Sequence, residues 1–210
     1  MTRPSIAFTE RVRRALARRV LRFLELPPPV DRRLDELVRV GRHSYPQRLP
    51  VHHFNTYSAG VSVGAFCSIA DDVCFLLDGE HHTDWVTTFP IRLRMRLPGA
   101  GRDGQPFARG DIVVGNDVWI GLGATIRSRV TIGDGAVVGA RSVVSHNVPA
   151  YGVVAGNPAA LVRTRFGDDQ IAALLRIRWW EWPDNVIAER VSLICSADVD
   201  GFIERFDPGP

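Results

Sequence analysis

Aliphatic residues recur every six positions through the middle of this chain. Val114, Ile120, Ile126, Ile132, Val138 and Val144 are all β-branched, and each is followed by a small or polar residue: Gly115, Gly121, Arg127, Gly133, Gly139 and Ser145. Four residues after each aliphatic position stands a second compact inward candidate: Val118, Ala124, Val130, Ala136, Ser142 and Val148. Neither a helical period of 3.6 nor two-residue alternation produces this register. A six-residue apolar beat with glycine at the corner is the hexapeptide signature of a parallel β-helix. Each unit supplies one short strand and one tight turn. The β-branched side chain points inward and stacks on its equivalents in the coils above and below. Glycine suits the corner because it has no Cβ to clash there.

The beat extends towards the N-terminus with interruptions. Val40-Gly41-Arg42-His43-Ser44-Tyr45 has the aliphatic-then-glycine form, residues 46–50 reset the phase, and Val51, Tyr57, Val63, Ile69 and Phe75 carry it on. It then fails from Leu76 to about Asp111 and restarts at Ile112. Ordinary connections are far shorter, and long ones tend to be functional, so residues 76–111 are expected to leave the prism as an arm. After the repeat, residues 155–159 predict a tight loop and Leu161 to Arg165 a last strand. A helix is predicted over Asp168 to Arg176, another from Pro183 to Val191, and Ser196 is a candidate cap for a third. These helices are expected to cover the open end of the β-helix, with Trp179, Trp180 and Trp182 packed among them. Residues 8–26 pattern as a basic amphipathic helix ended by Pro27-Pro28-Pro29, and Asp31 to Val40 as a second short one. The expected organisation is therefore mainly β: an N-terminal helical extension over 1–39, a β-helix over 40–166 interrupted by the arm, and a C-terminal helical cap over 167–210.

Composition narrows the partners. A chain of 210 residues suits one domain with a sizeable core. No stretch approaches the roughly 20 apolar residues of a membrane span, and the first residues lack the order of a secretory signal. Three well-separated cysteines suggest no disulfide framework; Cys67 falls on an inward beat as a small core residue. A cytoplasmic location is expected. All 26 basic residues are arginine and the net charge is only +3, which admits an anionic ligand without arguing for nucleic acid. The basic face of residues 8–26 reads more readily as solvated than as membrane-bound.

The arm opens with Glu80-His81-His82-Thr83-Asp84-Trp85. The run VSVGAFCSIADDVCFLLDGEHHTDWVTTFP from Val61 to Pro90 resembles the xenobiotic acetyltransferases, hexapeptide enzymes that acetylate chloramphenicol or streptogramins and have sugar O-acetyltransferase relatives. GDIVVGNDVWIG, VTIGDGAVVGARSVV, VVAGNPAALVR and IRWWEWP match the same pattern, so the resemblance covers about residues 38 to 195. It implies a left-handed parallel β-helix, an exception to the usual right-handed crossover, and a homotrimer with active sites at subunit interfaces. It also aligns His81 with the family's catalytic base and leaves His82 where the family usually has arginine. Two histidines thus stand side by side, and the alignment favours His81. The chemistry agrees, since imidazole titrates near working pH and suits removal of a hydroxyl proton during acyl transfer.

The resemblance further implies acetyl-CoA in a groove between adjacent β-helices. By motif position its walls are Trp119, Leu122, Ala140, Ser145, His146, Asn157 and Pro158, with Arg163 as a phosphate contact. Trp119 fits equally an outward residue filling a groove. Relatives commonly have Thr-Lys where this chain has Ser145-His146, so one expected charge is missing. An acceptor pocket is expected from the arm, including His82, and from Tyr45, Phe54, Asn55 and Tyr57 on the early coils. The reading is an acetyl-CoA-dependent O-acetyltransferase for a small molecule or sugar. Its rivals are an N-acetyltransferase on an amino sugar and a non-catalytic assembly scaffold. A γ-type carbonic anhydrase on the same fold needs three histidines around zinc, and Asp117 to Leu122 contains none.

Overall fold

The computed structural model describes residues 37–45, 51–52 and 59–209. Phe54, Asn55 and Tyr57, and the helix expected over residues 8–26, lie outside the described residues.

Thirteen short strands among these residues form three sheets, one on each side of a triangular prism. The first sheet stacks β1 (Val38–Val40), β3 (Val61–Val63), β6 (Ile112–Val114) and β9 (Thr131–Ile132). The second stacks β4 (Ser68–Ile69), β7 (Trp119–Ile120), β10 (Val137–Val138) and β12 (Gly152–Gly156), and ends on β13 (Ala159–Thr164). The third stacks β2 (Val51–His52), β5 (Cys74–Leu76), β8 (Thr125–Arg127) and β11 (Val143–Val144). Every pairing is parallel except β12 with β13, where the chain turns back on itself.

The hexapeptide beat is the core. Ile120, Ile126, Ile132 and Val138 are fully buried, with Val114 and Val144 nearly so, and the second inward set from Val118 to Val148 is buried beside them. Cys67 belongs to this interior. The corner glycines are required by the next coil: a Cβ on Gly64 would lie 2.5 Å from the Gly115 carbonyl oxygen, and one on Gly133 2.5 Å from the Ala150 nitrogen. The left-handed backbone that closes each corner falls elsewhere, at His43, Phe66, Asp117, Gly135 and Tyr151 along the edge between the first two sheets. Asp72, Gly123 and Arg141 do the same along the edge between the second and third.

Several expectations need correction. Val38–Val40 is strand β1, paired with β3, rather than the end of a helix, because its apolar residues complete the first coil. The strand expected over Leu161 to Arg165 runs Ala159–Thr164, as an antiparallel lid on β12. The last helix is capped by Asp198, which accepts from the Gly201 N–H at 3.0 Å, while Ser196 accepts from the Asp198 N–H.

The C-terminal helices do not sit over the end of the prism. Beyond the short helix α1 (Ile91–Arg94) of the arm, α2 (Asp168–Ile177), a 3₁₀ turn (Trp179–Glu181), α3 (Asp184–Ile194) and α4 (Val199–Phe206) run along the edge between the first and second sheets. They reach Tyr151 on the last coil, Phe66 three coils below, and Arg42 on the first, which donates to the Trp180 carbonyl at 2.8 Å. β13 already covers the terminal strand, so these helices instead bury an aromatic edge. Tyr151, Leu174, Ile177, Trp180 and Phe202 form their own apolar cluster there. None of the helices among the described residues is long and apolar enough to cross a membrane.

Candidate active site

The arm leaves the prism after β5 and returns just before β6. Its two limbs are tied at the neck: Glu80 and Phe107 exchange both backbone hydrogen bonds, at 3.1 and 3.0 Å. The Glu80 carboxylate also pairs with Arg109 on the returning limb at 3.3 Å and with Arg127 on β8. The arm is thus fastened to a rigid strand, and His81 follows the fastening point.

The two neighbouring histidines have different surroundings. His81 Nδ1 lies 2.5 Å from the Thr88 carbonyl oxygen. Gln105, itself buried, donates to the same oxygen at 2.5 Å. The 3.3 Å approach between Gln105 Nε2 and His81 Nδ1 is therefore two donors converging on one acceptor. A carbonyl acceptor places the ring proton on Nδ1 and leaves the Nε2 lone pair available. His82 is instead packed flat on Trp85, with ring centroids 4.3 Å apart and planes 1° from parallel, and lies 4.8 Å from Phe107. Its Nδ1 faces Asp84 at 3.3 Å. That sandwich holds the arm's shape.

A cavity of about 290 Å³ lies within the arm, lined by Trp85, Phe89, Ile91 and Leu97 among others. Asp103 and Arg92, 3.5 Å apart, face it, and Gln105 forms the wall it shares with His81. A second cavity, about 320 Å³, lies under the C-terminal helices around Tyr151, Arg165 and Phe202, on the prism edge those helices cover. Asp117 at its border pairs with Arg165 at 3.1 Å, and burial nonetheless pushes its carboxyl above the usual carboxylate range.

The residues expected to hold CoA fall on two different edges. Trp119 projects outward from the second sheet and is 58% exposed, in register with Ser68 and Val137. Exposed Tyr45 stands in the same column through its bridge to Ser68, away from the arm. Leu122 and Ala140 occupy successive turns of the edge between the second and third sheets, joined by the Arg141 N–H to the Leu122 carbonyl at 2.8 Å. Asn157 and Pro158 form the β12–β13 turn at this edge, with Gly156 N–H on Ser142 Oγ at 3.1 Å. Ser145 and His146 instead stand where β11 ends, on the edge from which the arm departs. Arg163 is exposed on β13, with its guanidinium on the Thr164 carbonyl. The width of the third sheet, on the order of 15 Å for five extended residues, separates Ala140 from Ser145. One protomer therefore does not gather the expected set around one cavity.

The sequence model described as bacterial transferase hexapeptide (six repeats) matches residues 111–146. A chloramphenicol acetyltransferase of Agrobacterium fabrum is 41% identical over 140 residues, spanning 65% of this chain and 67% of that one. The virginiamycin A acetyltransferase of Staphylococcus aureus is 34% identical over 178 residues, spanning 79% and 80%. The chain belongs to the xenobiotic acetyltransferase family. It is an acetyltransferase with that family's left-handed parallel β-helix. Among solved structures, a hexapeptide-repeat acetyltransferase from Vibrio cholerae is 25% identical with a TM-score of 0.45, over 63% of this chain and 65% of that one.

Thr88, Gln105 and Glu80 complete the surroundings of His81 and were not singled out by the sequence. Glu80 adjoins the arm histidine, so its place was visible there. Thr88 and Gln105 carry no local signal, because their role comes from the folding back of the arm.

Proposed function

We propose that this xenobiotic acetyltransferase moves an acetyl group from acetyl-CoA to a hydroxyl, with His81 as general base. The observation that carries this reading is the His81 Nδ1 contact to the Thr88 carbonyl. The remaining lone pair on Nε2 takes the acceptor's hydroxyl proton as its oxygen attacks the thioester carbonyl. The tetrahedral intermediate then expels the CoA thiolate, and the proton on Nε2 passes to that sulfur, giving the O-acetyl ester and free CoA thiol. The immobilised tautomer spares the enzyme a proton rearrangement during the reaction.

The CoA groove forms between subunits of a homotrimer. The edge carrying His81, Ser145 and His146 on one protomer meets the edge carrying Leu122, Ala140, Asn157 and Pro158 on the next, with Trp119 and Arg163 beside it. Tyr45 joins that second wall. The acceptor is a small hydrophobic alcohol or a sugar that enters through the arm, where His82 shapes the wall. The relatives' named substrates, chloramphenicol and virginiamycin A, favour a hydroxyl over an amine. A CoA donor and three free cysteines fit a cytoplasmic enzyme.

The test is thiol release from acetyl-CoA with chloramphenicol, a streptogramin A compound, a hexose and an amino sugar as acceptors. His81→Ala is expected to lower kcat by about 10²–10⁴-fold, with acetyl-CoA still bound. An unaltered rate in that variant would remove His81 from the base role, and release driven only by the amino sugar would move the acceptor to an amine.

A further inference from the structure

We propose that Glu80 is the positioning residue of the catalytic histidine. This rests on the reading of His81 as the base. Four observations meet at this side chain. Its backbone exchanges two hydrogen bonds with Phe107, joining the arm's outgoing and returning limbs. One carboxylate oxygen pairs with Arg127, on a strand of the prism, and the other with Arg109, on the returning limb. The carboxylate is mostly shielded, at 19% exposed. His81 is the next residue in the chain.

The consequence is geometric. The His81 ring is defined by two points: its own Cα, and the Thr88 carbonyl that accepts from Nδ1. The first is attached to Glu80. The second is held by Gln105, two residues before Phe107, the other half of the neck. Both points are thus referred to one clamp, and that clamp is bolted to β8 through Arg127. Charge-assisted bonds to two guanidiniums suit this task, because they are stronger and more directional than neutral ones. Releasing the carboxylate frees the neck from β8 and lets Nε2 drift relative to a thioester fixed by the β-helices. A misplacement near 1 Å costs about 10²-fold in rate.

The experiment uses the full-length protein and two independent readouts. Long-range ¹H–¹⁵N spectra of the imidazoles, assigned with His81→Ala, report the His81 tautomer without any substrate. Wild type is expected to hold its proton on Nδ1. Glu80→Gln, which keeps the shape and loses the charge, is expected to populate the Nε2–H form, while Glu80→Asp largely restores the Nδ1–H signature. In turnover with the acceptor identified by the panel above, Glu80→Gln is expected to lower kcat about 10- to 100-fold, with both KM values within about threefold. Arg127→Met should reproduce these effects, and the double variant should be no worse than either single one. A Glu80→Gln protein that keeps the Nδ1–H tautomer overturns the proposal, as does one that keeps wild-type kcat. An active His81→Ala protein would instead overturn the base assignment and leave the tautomer result standing. If Glu80→Gln melts early, the comparison passes to Glu80→Asp and Arg127→Met.

Discussion

Two adjacent imidazoles, His81 and His82, have the same intrinsic chemistry and different neighbours. His81 has one ring nitrogen tied to a carbonyl, whereas His82 is stacked between Trp85 and Phe107. His82→Ala is therefore expected to raise the acceptor KM and lower the melting temperature of the arm while retaining most of kcat, which steady-state kinetics beside His81→Ala will separate. The family pattern already favoured His81, and the Thr88 contact supplies a physical ground for that preference. Asp117 presents a second residue-scale case. Burial raises its carboxyl pKa, so its ionised form subtracts stability above that pKa and protonation on acidification returns it. Arg165 offsets the cost at neutral pH. Arg165→Met should destabilise by roughly 2 kcal/mol there, towards the low side for breaking a shielded pair because both partners keep some solvent. Urea melts should show that deficit narrowing as pH falls towards about 4.

At the scale of single elements, the coil was the most legible part of the sequence. Ile120 or Ile132 at a six-residue interval leaves little choice of inward face, and each is fully buried. The glycine of the corner was legible too, for its missing Cβ. Gly64→Ala should cost about 3 kcal/mol, because the new carbon meets the rigid backbone of the neighbouring coil at 2.5 Å. Gly101→Ala on the arm, where nothing lies within 4 Å and φ is +73°, should cost only about 1 kcal/mol of left-handed strain. Chemical denaturation of the two variants compares steric with conformational cost. The path of the arm was legible only as a gap in the beat, although the motif at its start marked His81. Its cavity, its neck and the Gln105–Thr88 contact arise from residues far apart in sequence, and no local period encodes them. Val38–Val40 was misread for a related reason: three residues are too few to reveal their period, and pairing with β3 decides them.

For the whole molecule, the helices after residue 167 were recognised as cover, but their place was not. A sequence shows that Trp179, Trp180 and Trp182 need burial; it does not show that Phe66 and Tyr151 offer an aromatic edge to receive them. The proposed trimer makes a quantitative demand. Its mass should be about 70 kDa by light scattering, three times the 23.3 kDa chain. If a site takes His81 from one protomer and Ala140 from the next, mixing and refolding inactive His81→Ala with inactive Ala140→Trp should restore activity. Random assortment gives roughly a quarter of the interfaces both intact residues. No recovery in verified mixed trimers would place both walls on one chain.

The side-on helices bear on that assembly through valence. A triangular prism offers three long edges, and here α2, α3 and α4 close one of them from within the chain. Among the described residues two edges remain, and they are unlike: one bears the arm and the other the β12–β13 turn. A body with two unlike faces joins its copies head to tail, and such a contact either closes into a ring or runs on as a filament.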